Sequence, residues 1–173
     1  MNDTISQQKK EKMIQLGRYV FTHIKKKSKR LIFDDYMLSF ILYDAEKRHL
    51  CSYGLSMVPC NFHASDDFVP TCKYEELGVS FSQFIDEIPD TDWLSKSEME
   101  TIDWAVEQNI KKRFSVLMRS HQTPLVKKVR NNLKKYGDIP VISKIEMAKE
   151  AGADPDLIDY IKEQQEIDEF LNS

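Results

Sequence analysis

Side chains that could bind zinc are concentrated in one short part of this sequence. All three cysteines and two of the four histidines lie within 24 residues, as His49, Cys51, Cys60, His63 and Cys72. Thiolate and imidazole groups are the ligands that Zn²⁺ prefers in proteins. The spacing lacks the paired C-x-x-C knuckle of common zinc sites, and free cysteine is often a small buried apolar residue. We therefore expect no cofactor, with zinc as the alternative.

Known catalytic motifs are not visible in the chain. There is no Walker-type phosphate loop, no G-x-S-x-G, no H-E-x-x-H and no dinucleotide-binding fingerprint. Acidic residues occur in the adjacent pairs Asp34-Asp35, Asp66-Asp67, Glu75-Glu76 and Asp86-Glu87. Carboxylates can hold Mg²⁺ or act as acid and base, but adjacent side chains point in different directions. The pairs therefore indicate solvated surface, and a metal-dependent enzyme is kept as an alternative.

Basic residues are the main candidates for a binding surface. They are concentrated at 25–30 and 111–135, and in a predicted helix their face lies opposite the apolar residues Leu125, Val129 and Tyr136. Six or more cations on one face can neutralise the phosphates of a nucleic acid. The alternative is that the acidic segments of the chain pair with them. The candidate contact residues are Lys25, Lys26, Lys27, Lys29, Arg30, Lys111, Lys112, Arg113, Arg119, Lys127, Lys128, Arg130, Lys134 and Lys135.

Two apolar features could also contact a partner. Trp93 stands just outside a predicted helix start, and tryptophan is enriched among the residues that dominate binding energy. Near the C-terminus, Ile167, Phe170 and Leu171 lie among acidic residues. Such a segment could dock on the protein's own basic face or in the groove of a partner.

The stretch 143–162 has the spacing of a helix-turn-helix, with Gly152 at the turn. The second helix would present Asp154, Asp156 and Asp159 near its N-terminus, where a DNA-reading helix meets phosphates. Three carboxylates would repel a polyanion. We therefore interpret this stretch as a helical hairpin that only packs, with DNA recognition as the alternative.

Local patterns predict the elements that position these residues. Apolar residues spaced by 3–4 predict an N-terminal helix over 4–29. The runs 36–44 and 49–58 predict a β-hairpin, because the second run alternates with a period of two. The first run could instead be a buried helix capped by Asp34 or Asp35, since short apolar runs are ambiguous.

Capping signals predict helices in the second half of the chain, after a stretch between Pro59 and Pro70 that we expect to be irregular. The predicted helix starts are Ser80 with Gln83, Ser95 with Glu98 or alternatively Asp92, Thr123 with Pro124, Ser143 with Glu146, and Asp154 with Pro155. The second helix is expected to reach about Ser120. The third is expected to end at Tyr136, because Gly137 follows.

The predicted fold class is α+β and helix-dominated, with an N-terminal helix, a small antiparallel hairpin or sheet, and a helical C-terminal half. Scarce glycine, at 5 of 173 residues, is consistent with a helical protein. We expect residues 1–137 to form an α+β domain. Residues 138–173 should form a helical hairpin packed on the same domain.

Charge is distributed in alternating blocks. The formal net charge is −3, but the segments 1–30, 31–105, 106–136 and 137–173 carry +7, −11, +8 and −7. The small total is therefore a cancellation, and such asymmetry indicates a charged partner or charged segments that dock on each other.

These features favour a noncatalytic protein that binds another macromolecule through charged faces, such as an inhibitor, an immunity-type protein or an adaptor. A protein is the expected partner, and a nucleic-acid-binding regulator that uses the basic helices is the alternative. No run of 18 apolar residues and no signal-like N-terminus is visible, so we expect a cytoplasmic protein without membrane contact.

Overall fold

Helices dominate the structure, and a small antiparallel sheet accompanies them. The computed structural model describes residues 2–135 and 137–173. The helices are α1 (Asn2–Lys27), α2 (Asp35–Tyr53), α3 (Ser82–Ile85), α4 (Lys96–Asn109), α5 (Phe114–His121), α6 (Pro124–Asn131), α7 (Lys144–Glu150) and α8 (Pro155–Leu171). The strands are β1 (Phe62–Ala64), β2 (Pro70–Cys72) and β3 (Val141–Ile142), and two 3₁₀ helices span Tyr74–Leu77 and Thr91–Trp93. The predicted helix-dominated α+β fold is confirmed.

Helix α2 is the centre of the core. Helices α1, α4 and α7 and strand β2 pack against it. Five consecutive or near-consecutive side chains on it are at most 1% exposed, namely Leu38, Phe40, Ile41, Leu42 and Tyr43. The helix begins where the Asp34 Oδ1 accepts a hydrogen bond from the Met37 amide at 2.9 Å. It ends at Gly54, whose φ of 69° lies in the left-handed region.

The predicted β-hairpin over 36–44 and 49–58 is wrong. The first run and the first half of the second belong to α2, so the alternative of a buried helix capped by Asp34 is the one observed for the first run. A helix buried on nearly all sides has no polar stripe, and its sequence then shows no 3.6-residue period. The apparent alternation in the second run arose from residues around the end of the helix at Tyr53.

The sheet lies elsewhere in the chain. Strand β1 is central and pairs antiparallel with β2, where Phe62 faces Cys72, and with β3, where Phe62 faces Ile142. Strands β1 and β2 fall in or border the stretch expected to be irregular. The alternate residues Phe62 and Ala64 are buried, whereas His63 between them is partly exposed.

The predicted helix starts are largely confirmed, and two helix ends are corrected. Ser95 and Glu98 form a full capping box, and Thr123, Ser143 and Asp154 each accept a capping hydrogen bond. The helix expected to reach Ser120 is two helices, because α4 ends at Asn109 and α5 begins at Phe114. Helix α6 ends at Asn131, and the predicted end at Tyr136 lies outside the described residues.

The C-terminal segment 138–173 makes contacts with several earlier elements. It supplies β3 to the sheet, and α7 packs against α2 and α6. Helix α8 is buried through Ile158 and Ile161, near the C-terminal end of α2. Among the described residues, no helix combines the length and apolar character needed to cross a bilayer.

Candidate macromolecule-binding site

The end of α1 carries three consecutive lysines, Lys25 to Lys27, where cations favour the negative end of the helix dipole. The Lys25 Nζ donates to the carbonyl oxygen of Leu31 at 2.7 Å, which holds the following loop against the helix end. This loop leaves Ile32 76% exposed. An apolar side chain is therefore presented to solvent directly beside a group of cations.

Helix α5 supplies the opposite side of the site. It begins at Phe114, which is 55% exposed and packs edge-to-face on Tyr36 of α2, with ring centroids 5.5 Å apart. Between the loop and α5 lies a cavity of about 380 Å³. Its apolar lining consists mainly of Ile32, Tyr36, Met37, Phe40, Phe114 and Leu117, and Arg30, Asp34 and Lys112 also line it. We call this feature the basic-rimmed groove.

An ion pair brings the two basic stretches together at this groove. The Lys27 Nζ lies 2.6 Å from the Glu107 Oε1, which holds the end of α1 beside the end of α4. The hydrogen bond between them raises the pKa of Lys27 and lowers the pKa of Glu107. Since Lys111, Lys112 and Arg113 follow α4, the first and second positive blocks meet here.

Most of the candidate cations are free of internal partners. Among the described residues, only Lys27 and Arg130 of these fourteen have a carboxylate oxygen within 4.0 Å, from Glu107 and Asp66 respectively. All except Lys25 and Arg130 are classed as exposed. The expected alternative, in which the acidic segments neutralise the basic ones, therefore applies to few of them.

The remaining cations lie away from the groove lining. Arg119 is exposed on α5, Lys127 and Lys128 are exposed on α6, and Lys134 and Lys135 follow α6. Asp66, which pairs with Arg130 of α6, and Asp67 lie in one turn. Tyr36 donates to Asp67 at 3.0 Å, and this hydrogen bond raises the pKa of Tyr36.

The floor of the groove rests on a buried polar cluster. The His121 ring stacks on Phe40 with centroids 4.2 Å apart, and His121 is 3% exposed. Its Nδ1 lies 2.7 Å from the Leu117 carbonyl, and its Nε2 lies 3.0 Å from Asp44. Asn109 donates to the same carboxylate at 2.8 Å. A carbonyl oxygen only accepts, so His121 donates to Leu117 through Nδ1, and its Nε2 faces the Asp44 carboxylate.

Trp93 does not belong to the groove. It is 38% exposed and lies in an open depression beside Asp3, Thr4 and Glu11 at the start of α1. This position is at the other end of α1 from the lysines, and the carboxylates beside it give the depression a different charge. Trp93 therefore stays a separate partner-contact candidate.

The five candidate zinc ligands do not come together at one site in the structure. The Sγ atoms of Cys60 and Cys72 lie 3.0 Å apart and are buried, and burial raises the pKa of the Cys72 thiol. His49 is bonded elsewhere, through Nδ1 to the Leu55 carbonyl at 2.6 Å and through Nε2 to a serine hydroxyl at 3.0 Å. Cys51 Sγ lies 3.5 Å from the carbonyl oxygen of Ala151.

The last of the five, His63, lies 3.2 Å from a Glu76 oxygen, and burial lowers its pKa. Within residues 2–135 and 137–173, no group of three or more histidine, cysteine, aspartate or glutamate side chains could hold a metal ion. The five candidate zinc ligands thus separate into a buried thiol pair and single side chains with their own partners.

This separation predicts an order of cysteine reactivity. We expect iodoacetamide at neutral pH to alkylate the partly exposed Cys51 well before the buried Cys60 and Cys72, because the exposed thiolate is the nucleophile. Peptide mass spectrometry over time would measure the three rates, and protein unfolded in urea, where all three should react alike, is the control. Equal rates in the folded protein would contradict the buried positions of Cys60 and Cys72.

The adjacent acidic pairs lie on the surface with individual partners. Asp34 caps α2, and Asp35 accepts a hydrogen bond from the Tyr74 hydroxyl. Asp66 pairs with Arg130, and Arg18 contacts both Asp86 and Glu87. At the start of α8, Asp154 and Asp156 are exposed.

No protein-family model matches this chain, and no curated protein or solved structure is significantly similar to it. Function must therefore be argued from the groove. Sequence patterns identified its cations but not its apolar residues Ile32, Tyr36 and Phe114. The sequence did contain a signal for two of them, because Ile32 and Phe114 closely follow the basic runs that end at Arg30 and Arg113.

Proposed function

We propose that this protein is a noncatalytic binding protein that captures an acidic, partly apolar segment of a protein partner in the basic-rimmed groove. An inhibitor, immunity-type protein or adaptor would act in this way. The observation that carries the proposal is the position of exposed Ile32 and Phe114 on an apolar cavity that Arg30 and Lys112 also line.

The combination of apolar floor and basic rim favours a protein partner over a polyanion. A phosphate backbone gains from cations but not from apolar surface. An amphipathic acidic helix gains from both, since its apolar residues enter the groove and its carboxylates meet the rim. Burying each large apolar side chain contributes about 1.5–3 kcal/mol, and the charges increase the association rate and specificity.

A titration with a designed peptide tests this function. The probe is a fluorescein-labelled helical peptide with leucine or phenylalanine at i, i+3 and i+7 and acidic residues elsewhere, unrelated in sequence to this chain. We expect saturable binding by fluorescence anisotropy that weakens with salt. The double variant Ile32→Asp/Phe114→Asp should bind at least about tenfold more weakly, because it loses apolar contacts and adds like charge.

The matched control is Ile88→Asp, which places the same charge on an 82% exposed isoleucine outside the groove. It should bind like the unmodified protein. Circular dichroism would establish that the groove variant is folded. Equal affinity of the groove variant and the control, or no binding by any of them, would reject the proposed function.

The exposed cations on α6 and in the segment that follows it favour nucleic-acid binding as a second candidate function. They are outside the groove, so the two functions can be separated. If this candidate is correct, labelled DNA binds with steep salt dependence, and joint substitution of Lys127, Lys128, Arg130, Lys134 and Lys135 by alanine abolishes binding. Absence of DNA binding at low salt rejects it.

A further inference from the structure

We infer that the partner of the basic-rimmed groove is a second copy of this chain, which inserts the exposed end of its α8. This inference rests on the proposed function, because it names the occupant of the same groove. We call residues 163–171 the acidic tail.

The acidic tail is a helical end with an uncovered apolar face. Ile161 is the last buried residue of α8, and Ile167, Phe170 and Leu171 are 49%, 77% and 65% exposed. They share a depression with Glu163 and Glu166 that α8 residues alone line. Ile167, Phe170 and Leu171 follow the i, i+3, i+4 spacing of one helical face, and Glu163 and Glu166 continue that face one turn earlier. This is the form in which a helix enters a groove.

The tail and the groove have opposite charges. The tail contains Glu163, Glu166, Asp168 and Glu169 and no basic residue. None of these four has a cationic nitrogen within 4.0 Å among the described residues. Within the same residues, no carboxylate oxygen lies within 4.0 Å of Arg30 or Lys112. Each surface therefore combines an exposed apolar patch with unpaired charges that the other surface can neutralise.

The fold places the tail away from the groove of its own chain. The groove lies at the first turns of α2, whereas α8 packs at the opposite end of α2, where Tyr160 and Leu157 lie against Gly54. From Tyr36 to Gly54 the helix spans about 27 Å, but from Tyr160 to Leu171 the tail spans only about 16 Å. A straight tail cannot reach the groove of its own chain, so a tail that fills the groove comes from a second copy.

Such a contact joins two different surfaces. The copy that supplies the groove keeps a free tail, and the copy that supplies the tail keeps a free groove. It is therefore heterologous, and the protein should assemble head to tail with rising concentration. The apolar face of the tail is then the surface that contacts the groove of the next copy.

Mixing two complementary variants tests this arrangement. Ile32→Asp/Phe114→Asp removes the groove but keeps the tail, and Ile167→Asp/Phe170→Asp removes the tail but keeps the groove. By sedimentation velocity, the unmodified protein should gain mass with concentration, whereas each variant alone should stay monomeric. Their mixture should form a 1:1 heterodimer that grows no further, because only one functional groove–tail contact is available.

The control Ile88→Asp should assemble like the unmodified protein, and the designed acidic peptide should dissociate the assemblies by competition. A wild-type protein that stays monomeric while the peptide binds the groove would reject this inference and leave the proposed function standing. Assembly that persists in either variant also rejects it. If the peptide does not bind and the mixture forms no heterodimer, both fail.

Discussion

Replacing Glu46 by alanine should lower the free energy of unfolding by about 3–5 kcal/mol, the range for removing one partner of a buried ion pair. The Glu46 side chain is fully buried. Its Oε1 accepts from the Met57 amide at 3.0 Å and its Oε2 from the Val58 amide at 2.7 Å. The Lys144 Nζ lies 2.8 Å from the same carboxylate.

The loss is large because one carboxylate connects three parts of the fold. It joins α2 to the chain segment after that helix and to the first residue of α7. Without it, two buried amides lose their acceptor. Lys144, whose side chain is 13% exposed, would keep the Val58 carbonyl at 3.0 Å but no counter-charge.

Urea denaturation of the single and double variants would measure this effect. Glu46→Leu/Lys144→Met should be more stable than Glu46→Leu alone, since the double variant leaves no stranded charge. The control is Glu100→Ala, which removes an exposed ion pair with Lys96 and should cost at most about 0.5 kcal/mol. A loss for Glu46→Ala as small as that of the control would contradict the role of the buried carboxylate.

Replacing Gly17 by alanine should destabilise the protein by up to about 2 kcal/mol, although alanine is the better helix former. Gly17 is buried on α1, and a Cβ built there would overlap the ring of Phe84. Phe84 is itself fully buried, and Tyr74 and Phe81 pack edge-on at centroid distances of 5.0 and 5.9 Å. The ring therefore has no free space into which it can retreat.

Two opposing effects decide this prediction. Alanine gains about 1 kcal/mol over glycine in a helix, whereas forcing extra atoms into a packed core costs about 1–3 kcal/mol and sometimes more. We expect the steric cost to dominate, because a whole helix must move away from the ring.

Denaturation midpoints of Gly17→Ala and of Gln8→Ala, an exposed position on the same helix, provide the comparison. In a Phe84→Leu background, Gly17→Ala should cost less, since the smaller side chain leaves room for the Cβ. An unchanged or higher stability of Gly17→Ala in the unmodified background would show that α1 and α3 are not packed as described.

Helix starts were predictable because their signals are local. A capping hydrogen bond joins residues two or three positions apart, as between Ser95 and Glu98 or between Asp154 and Asp156. Such contacts form in any context that allows a helix. Thr123 followed by Pro124 and Ser143 followed by Glu146 were predicted for the same reason.

The strands were not predictable from local patterns. Two or three residues are too few to show a period of two, and the partner of β1 at Val141 and Ile142 lies far along the chain. The sequence pattern of α2 predicts a hairpin instead of a helix for a related reason. Its period is hidden, because packing from several sides buries nearly every position between Met37 and Tyr43.

The candidate site was half predictable. The cations at 25–30 and 111–113 follow from composition, but their meeting depends on an ion pair between Lys27 and Glu107, 80 positions apart. The support of the groove floor by Asp44 and His121 likewise joins residues from different helices. No periodicity encodes such pairs.

Residue types and neighbours within about one helical turn specify the helix-rich class, the helix starts and the alternating charge blocks. Long-range packing specifies which cations stay unpaired, where the apolar floor of the groove lies and which end of the molecule carries the acidic tail. Those features depend on burial and on long-range contacts, because the free energy of a side chain is set by what packs against it.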